Sequence, residues 1–290
     1  MKCIITGGSG FLGSHVADEL TKKNHKVTIY DIKKSIWIKN NQRFIKGSIL
    51  DFNKFKKACK NQDIIFHFAS LSDLNSAWND PVGTVSNNIL GTVYALEIAK
   101  RFRIKRLIYA SSIYVNSIEG GFYRSSKKAA EDYIQEYSKR YGLKFTVLRY
   151  GSLYGDRADK SNGLRLIIKN AVKKNKIEYF GNKKTERRYI NVKDAAKAST
   201  EILNKKYANK HLIITGSKQI KISKMLSYIY DQLSLKNRII YKKKLIPGHY
   251  IKNPNTYKPN YGKKLNFKSD FKFEDELKKM MLHFKKGKFE

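Results

Sequence analysis

Cysteine, proline and acidic residues are all scarce in this sequence, and each shortage removes a class of protein. Cys3 and Cys59 are the two cysteines in 290 residues. They lack metal-ligand spacing and fit reduced packing thiols better than a disulfide framework. Four prolines and no low-complexity tract leave little room for a flexible linker. No apolar run approaches the ~18 residues that a membrane span needs. Met1-Lys2 leads straight into Cys3-Ile4-Ile5-Thr6, which reads as a strand, so no signal peptide and a cytoplasmic location are expected. Against 24 Asp and Glu stand 60 Lys and Arg, a net charge of +36. Such a balance suits nucleic acid or an anionic membrane face. The basic residues are spread over the whole chain, however, as a lysine-rich coding bias would spread them. No membrane partner is expected, and nucleic acid is disfavoured as the main partner. A positive field of this kind also draws in small anions.

What is abundant is alternation. Apolar runs at 2–6, 26–30, 43–47, 63–68, 106–110 and 144–148 read as strands, separated by helical patterns near 11–23, 52–60, 84–102 and 123–141. Strands alternating with helices of this length predict βαβ units and a parallel sheet covered on both faces. With right-handed crossovers, the α/β class follows as a doubly wound, Rossmann-type sheet. Beyond Arg149 the rhythm loosens. Helices near 161–174, 193–204, 221–234 and 273–285 alternate with strands at 177–180, 211–215 and 238–241, and a loop holds Pro247, Pro254 and Pro259. The expected division is a dinucleotide-binding domain at 1–150 and a smaller, interleaved substrate lobe at 151–290, with about 187–215 returning to the first.

Thr6-Gly7-Gly8-Ser9-Gly10-Phe11-Leu12-Gly13 follows the first strand and opens the first helix. Gly7, Gly10 and Gly13 allow a tight turn and close approach of backbone to a pyrophosphate, at a helix N-terminus whose free N–H groups favour anions. Strand before and helix after is the context that makes the triplet a dinucleotide signature. Asp31 ends the second strand, where a carboxylate accepts from ribose hydroxyls and repels a 2′-phosphate, favouring NAD over NADP; Lys33 and Lys34 soften that repulsion. Asp51 stands where it reaches an adenine or simply caps a helix.

Tyr123 and Lys127 are four residues apart, but so are Tyr30 and Lys34, Tyr179 and Lys183, and Tyr189 and Lys193. Spacing alone selects none of them. In combination, TGGSGFLG, HFAS (67–70), NNILGT (87–92), YASS (109–112), YRSSK (123–127), LRYGSLYG (148–155) and RRYINVKDAA (187–196) resemble the extended short-chain dehydrogenase/reductase family, the NAD-dependent nucleotide-sugar epimerases and dehydratases, over nearly the whole length. The resemblance implies NAD as cofactor and singles out Ser112, Tyr123 and Lys127 as catalytic, Ser112 preceding Tyr123 by 11 residues. It adds Phe11, Leu12, Ala69, Asn88 and Tyr150 to the cofactor contacts, with Asn88 also supporting the active-site helix. Ser152 and Arg187 become substrate contacts, Arg187 as a phosphate clamp. On a helix Lys127 shares a face with Tyr123, so its ammonium, together with an oxidised nicotinamide, is expected to lower the phenol's pKa.

The chain departs from the family pattern at Asn116, where Tyr is usual, at Gly151-Ser152 in place of Phe-Asn, and at Arg188 and Asn191. The resemblance implies oxidation of a sugar carbon, usually C4, with Tyr123 taking the hydroxyl proton. A 4,6-dehydratase carries an Asp-Glu pair after the catalytic Ser/Thr; here those positions are Ile113 and Tyr114, which disfavours dehydration. No Cys–His pair suits a 3,5-epimerase, and His67 reads as a packing residue. A nucleotide-sugar 4-epimerase is therefore expected, with a C4 dehydrogenase or ketoreductase as the alternative. A family scaffold turned to RNA binding is the alternative from another class; it predicts decay of the glycine turn or the Tyr/Lys pair, and both are intact. A homodimer through the helices near 84–102 and 123–141 is also implied by the resemblance.

Overall fold

The computed structural model describes residues 1–242. The expected helix at 273–285 and the three prolines of the preceding loop lie outside the described residues. The chain opens with β1 (Lys2–Thr6), α1 (Phe11–Lys22), β2 (Lys26–Asp31), β3 (Arg43–Lys46), α2 (Phe52–Cys59) and β4 (Ile64–His67). Two short helices, α3 (Leu74–Asn79) and α4 (Pro81–Val85), lead through a π-helical turn at Ser86–Leu90 into α5 (Gly91–Arg101). Then come β5 (Arg106–Ser112), a 3₁₀ turn at Ile113–Asn116, α6 (Gly121–Tyr141) and β6 (Phe145–Tyr150). The rest holds β7 (Ser152–Tyr154), α7 (Gly163–Lys174), β8 (Glu178–Phe180), β9 (Glu186–Arg187), β10 (Tyr189–Asn191), α8 (Val192–Glu201), β11 (Lys210–Ile214), β12 (Ile220–Lys221), α9 (Ile222–Gln232) and β13 (Ile240–Lys242).

Seven of these strands form one sheet in the order β11-β6-β5-β4-β1-β2-β3, every neighbouring pair parallel. The physical cause is visible in the strands themselves. Cys3-Ile4-Ile5 and Ile64-Ile65-Phe66 are buried residue after residue, as a sheet covered on both faces demands. One face packs Ile4, Tyr30, Ile65, Leu107, Tyr109 and Val147 with residues of α2, α5 and α6. The other packs Ile5, Ile29, Phe66, Ile108, Leu148 and Tyr150 with residues of α1 and α8. A third, smaller core lies under α7 and α9, around Ala171, Ile177, Leu226 and Ile229.

Two features position the site. Strand order reverses between β1 and β4, so the crevice beyond their carboxyl ends lies directly over the glycine turn that follows β1. The strands β7, β9, β10 and β12, only two or three residues each, pair among themselves (β10 with β7, β12 with β9), with β7 following directly on β6 of the large sheet. They carry too little periodicity to be anticipated from sequence.

Candidate active site

The glycine turn tests whether a dinucleotide fits. Gly7 adopts φ +70°, and a Cβ there would lie 2.7 Å from Ala69 N; a Cβ at Gly13 would lie 2.2 Å from Gly7 O. Both glycines are thus demanded by the fold itself. Gly10 is different: a Cβ would meet only Gly7 O, at 3.2 Å. The space it leaves clear faces outward at the N-terminus of α1, which has neither a side-chain cap nor an acidic residue in its first turn. Free N–H groups, an open approach and the buried, unpartnered Ser9 hydroxyl are what an arriving pyrophosphate needs. Asp31 stands beside them at the end of β2, accepting from Ser9 N at 3.0 Å and Lys33 N at 3.2 Å. Asp51 is exposed and caps α2, accepting from Lys54 N at 3.0 Å.

Across the crevice, Thr6 fastens β1 to the chain leaving β4. Its hydroxyl oxygen accepts from Phe68 N and Ala69 N at 3.1 and 3.2 Å and lies 2.9 Å from His67 Nδ1. With both lone pairs taken, the hydroxyl donates to Nδ1, which leaves the imidazole proton on Nε2. His67 is fully buried, stacked between Phe55 and Tyr109, and burial holds it neutral with a pKa lowered to about 3. It is a packing residue, as its apolar strand suggests.

Asn88 Oδ1 accepts from Leu71 N at 2.7 Å, while Nδ2 donates to Leu71 O at 3.0 Å and Ser126 Oγ at 2.9 Å. Both amide protons are therefore spent within the protein: Asn88 ties the segment after β4 to α6 beside Lys127 and has no donor left for a cofactor. Tyr150 is likewise engaged elsewhere. Its hydroxyl shares a 2.6 Å hydrogen bond with Ser199 of α8, on the opposite face of the sheet from α6.

The group at the end of β5 does come together. Ser112 is 7% exposed, and its hydroxyl lies near enough to the Tyr123 phenol to oppose the rise in that phenol's pKa. Lys127, 2% exposed, donates from Nζ to Ala110 O at 2.9 Å, 5.8 Å from the Tyr123 ring centre and 4.9 Å above the Tyr109 ring. The short Ser112-to-Tyr123 connection is made by Gly120, at φ +107°, where a Cβ would strike the Tyr114 ring at 2.8 Å. Tyr114 is thereby free to pack edge-on against Tyr123, ring centres 6.3 Å apart. The electrostatics correct the sequence expectation. Burial pushes the Tyr123 phenol up to about 12, with the Ser112 hydroxyl opposing, and pulls Lys127 down to about 7. In the protein alone, desolvation sets the phenol above its ordinary value.

Ser152 begins β7, its N–H donating to Arg188 O at 3.3 Å, and Arg187 is 8% exposed in β9. Gly151 is required by its surroundings, because a Cβ there would sit 2.9 Å from Arg188 O. Sequence reasoning missed Glu131, Arg149 and His211, which join Ser111 at the end of β5. The available signal was Glu131 four residues past Lys127, on the same helical face. Among the described residues no group of His, Cys, Asp and Glu is arranged to hold a metal.

An open parallel sheet with a glycine turn at its switch point and a Ser–Tyr–Lys group two strands away defines a nucleotide-dependent enzyme of the short-chain dehydrogenase/reductase type. The chain belongs to the NAD dependent epimerase/dehydratase family, whose profile matches residues 3–215. It is 28% identical over 264 residues to a putative UDP-glucose 4-epimerase of Methanocaldococcus jannaschii, covering 83% of this chain and 85% of that protein. It is 30% identical over 243 residues to a dTDP-D-glucose 4,6-dehydratase of Dictyostelium discoideum, covering 70% of this chain and 56% of that one. Among solved structures, the UDP-N-acetylglucosamine 4-epimerase of Methanobrevibacter ruminantium M1 superimposes with a TM-score of 0.79 at 25% identity, over 89% of this chain and 93% of its own.

Proposed function

We propose that this enzyme is a nucleotide-sugar 4-epimerase, with Ser112, Tyr123 and Lys127 as its catalytic group. The observation that carries the reading is the placement of Tyr123 beside Ser112, with the buried Lys127 one turn along the same helix, 5.8 Å from the Tyr123 ring centre, and Ile113-Tyr114 directly after Ser112. Ile113 is 7% exposed and the Tyr114 ring lies against Tyr123, so neither position offers the carboxylate that elimination of a C6 hydroxyl needs. That argues against the activity named for the Dictyostelium relative and for the one named for the Methanocaldococcus relative.

The glycine turn, the N-terminus of α1 and Asp31 would hold NAD, which when bound accepts a hydride from the sugar carbon and gives it back. Everything else falls to the chain's own groups. Tyr123 Oη takes the proton of the C4 hydroxyl and, after the ketone has turned over and presents its other face for hydride return, gives that proton back to the ketone oxygen. Ser112 Oγ orients that oxygen. Lys127 supplies positive charge beneath the phenol, and the further charge of an oxidised nicotinamide brings a phenol resting near 12 into a working range. Arg187 and Ser152 are the proposed contacts to the nucleotide half of the substrate.

The test is to denature the purified protein, identify the released nucleotide, and follow UDP-, dTDP- and GDP-sugars by NMR. A C4-inverted product with no net change in NADH supports the reading. Stoichiometric NADH formation would replace it with a C4 dehydrogenase, and a 4-keto-6-deoxy product would replace it with a dehydratase.

A further inference from the structure

One turn beyond Lys127 lies Glu131, a carboxylate only 1% exposed. Its Oε1 accepts from Ser111 Oγ at 2.5 Å and Arg149 Nε at 3.1 Å; its Oε2 accepts from Arg149 Nη2 at 2.6 Å and faces His211 Nδ1 at 3.3 Å. Arg149 Nη1 continues to Asn116 Oδ1, 3.3 Å away. Three parts of the molecule therefore meet one side chain of α6, β5 at Ser111, β6 at Arg149 and the edge strand β11 at His211, and Arg149 carries the contact on to Asn116 in the turn after Ser112. Sequestering an ion pair costs several kcal/mol in lost hydration, and an apolar pair of similar volume is often as stable. Stability alone is thus a poor reason for a charge here. Its surroundings suggest a better one.

We propose that Glu131 is a positioning residue for the catalytic pair, tying α6, which carries Tyr123 and Lys127, to the end of β5, which carries Ser112, and presenting its negative charge to the Lys127 ammonium. The proposal rests on the reading of Tyr123 and Lys127 as catalytic. Lys127 is surrounded by the Tyr123 phenol on its own helix, the Tyr109 phenol and Ala110 carbonyl on β5, and neutral His67 on β4. Glu131 is the group that favours its charge against burial. Arg149 and His211 face the far side of that carboxylate and hold it ionised.

The experiment compares E131Q with the double variant E131Q/R149Q, each as the full chain loaded with NAD. Lys127 is titrated directly by NMR of lysine labelled at Cε. With Glu131 in place it titrates near 7; in E131Q the midpoint falls by about one unit, so the charged fraction at pH 7 drops about fivefold. The double variant removes the stranded Arg149 charge and recovers melting temperature, yet its Lys127 midpoint stays low and its turnover remains at least about tenfold down. A Lys127 midpoint unmoved in both variants overturns the proposal, as does full turnover in the double variant. Full turnover in Y123F would instead overturn the assignment of the catalytic pair, with the Lys127 titration still reporting on Glu131.

Discussion

Tyr123 and the glycines of the first turn illustrate how differently single residues are constrained. Removing the Tyr123 hydroxyl takes away a polar neighbour of Ser112 and the proposed proton acceptor. Y123F is expected to fold with a melting temperature close to the parent while turnover falls by about 10²–10⁴. Steady-state kinetics beside a thermal melt check both halves, and a variant within tenfold of the parent would remove the phenol from the mechanism. Gly10 and Gly13 separate in the opposite sense. A methyl group at Gly13 collides with Gly7 O at 2.2 Å, so G13A is expected to fold poorly; at Gly10 the same contact is 3.2 Å and the added carbon points at the nucleotide's approach. G10A should keep its fold, judged by circular dichroism, and lose bound NAD at least about tenfold, judged by the nucleotide released on denaturation. Loss of fold in G10A would mean that the glycine serves the turn and not the ligand.

At the level of elements, α6 is held on two sides by buried polar side chains. Asn88 joins it to the segment after β4; N88A strands Leu71 N–H and Leu71 C=O and removes the donor to Ser126 Oγ, and is expected to cost about 2–3 kcal/mol in urea unfolding. Glu131 joins it to β5 and β6. Hydrogen bonds from His211, Arg149 and Ser111 outweigh its burial and hold its carboxyl down at about 2, below the ordinary 4.5. Because the folded value lies below the unfolded one, this stabilisation is complete above pH 4.5 and is lost as pH falls towards 2. It amounts to about 3 kcal/mol, so between pH 5 and 2.5 the parent should lose more stability than E131Q. Parallel acid melts of the two proteins make the comparison, and equal slopes would mean that Glu131 has the same pKa in the folded and unfolded states. The elements themselves were largely legible. Strands and helices of the large sheet fall within a few residues of their expected places, because continuous burial on both faces writes itself into composition. The two- and three-residue strands and the short helices α3 and α4 were not, since so few residues carry no period.

For the whole molecule the open question is the charge of +36. The described lysines are distributed over helices and loops on many sides, and among the described residues no helix is long and apolar enough to cross a membrane. Dispersed charge predicts weak, sequence-independent attraction to polyanions. Binding to a random-sequence RNA should therefore fall steeply between about 50 and 200 mM salt and leave no sequence preference at the higher value. Tight, sequence-selective binding above that concentration would restore nucleic acid as a partner in its own right.

By itself the sequence determined the doubly wound sheet, the turn that opens α1, and the helix on which Tyr123 and Lys127 share a face. These are local or periodic properties: a run of apolar residues, a triplet of glycines after a strand, a spacing of four. Only the tertiary structure decided that Arg149 points to α6 and Glu131 while Tyr150, one residue on, points to α8 and Ser199, since adjacent strand residues face opposite sides of a sheet. It also decided that Asn88 is spent on the protein, and that Tyr123 rests above its ordinary pKa and Lys127 below. Burial sets those values, and burial is made by residues distant in the chain.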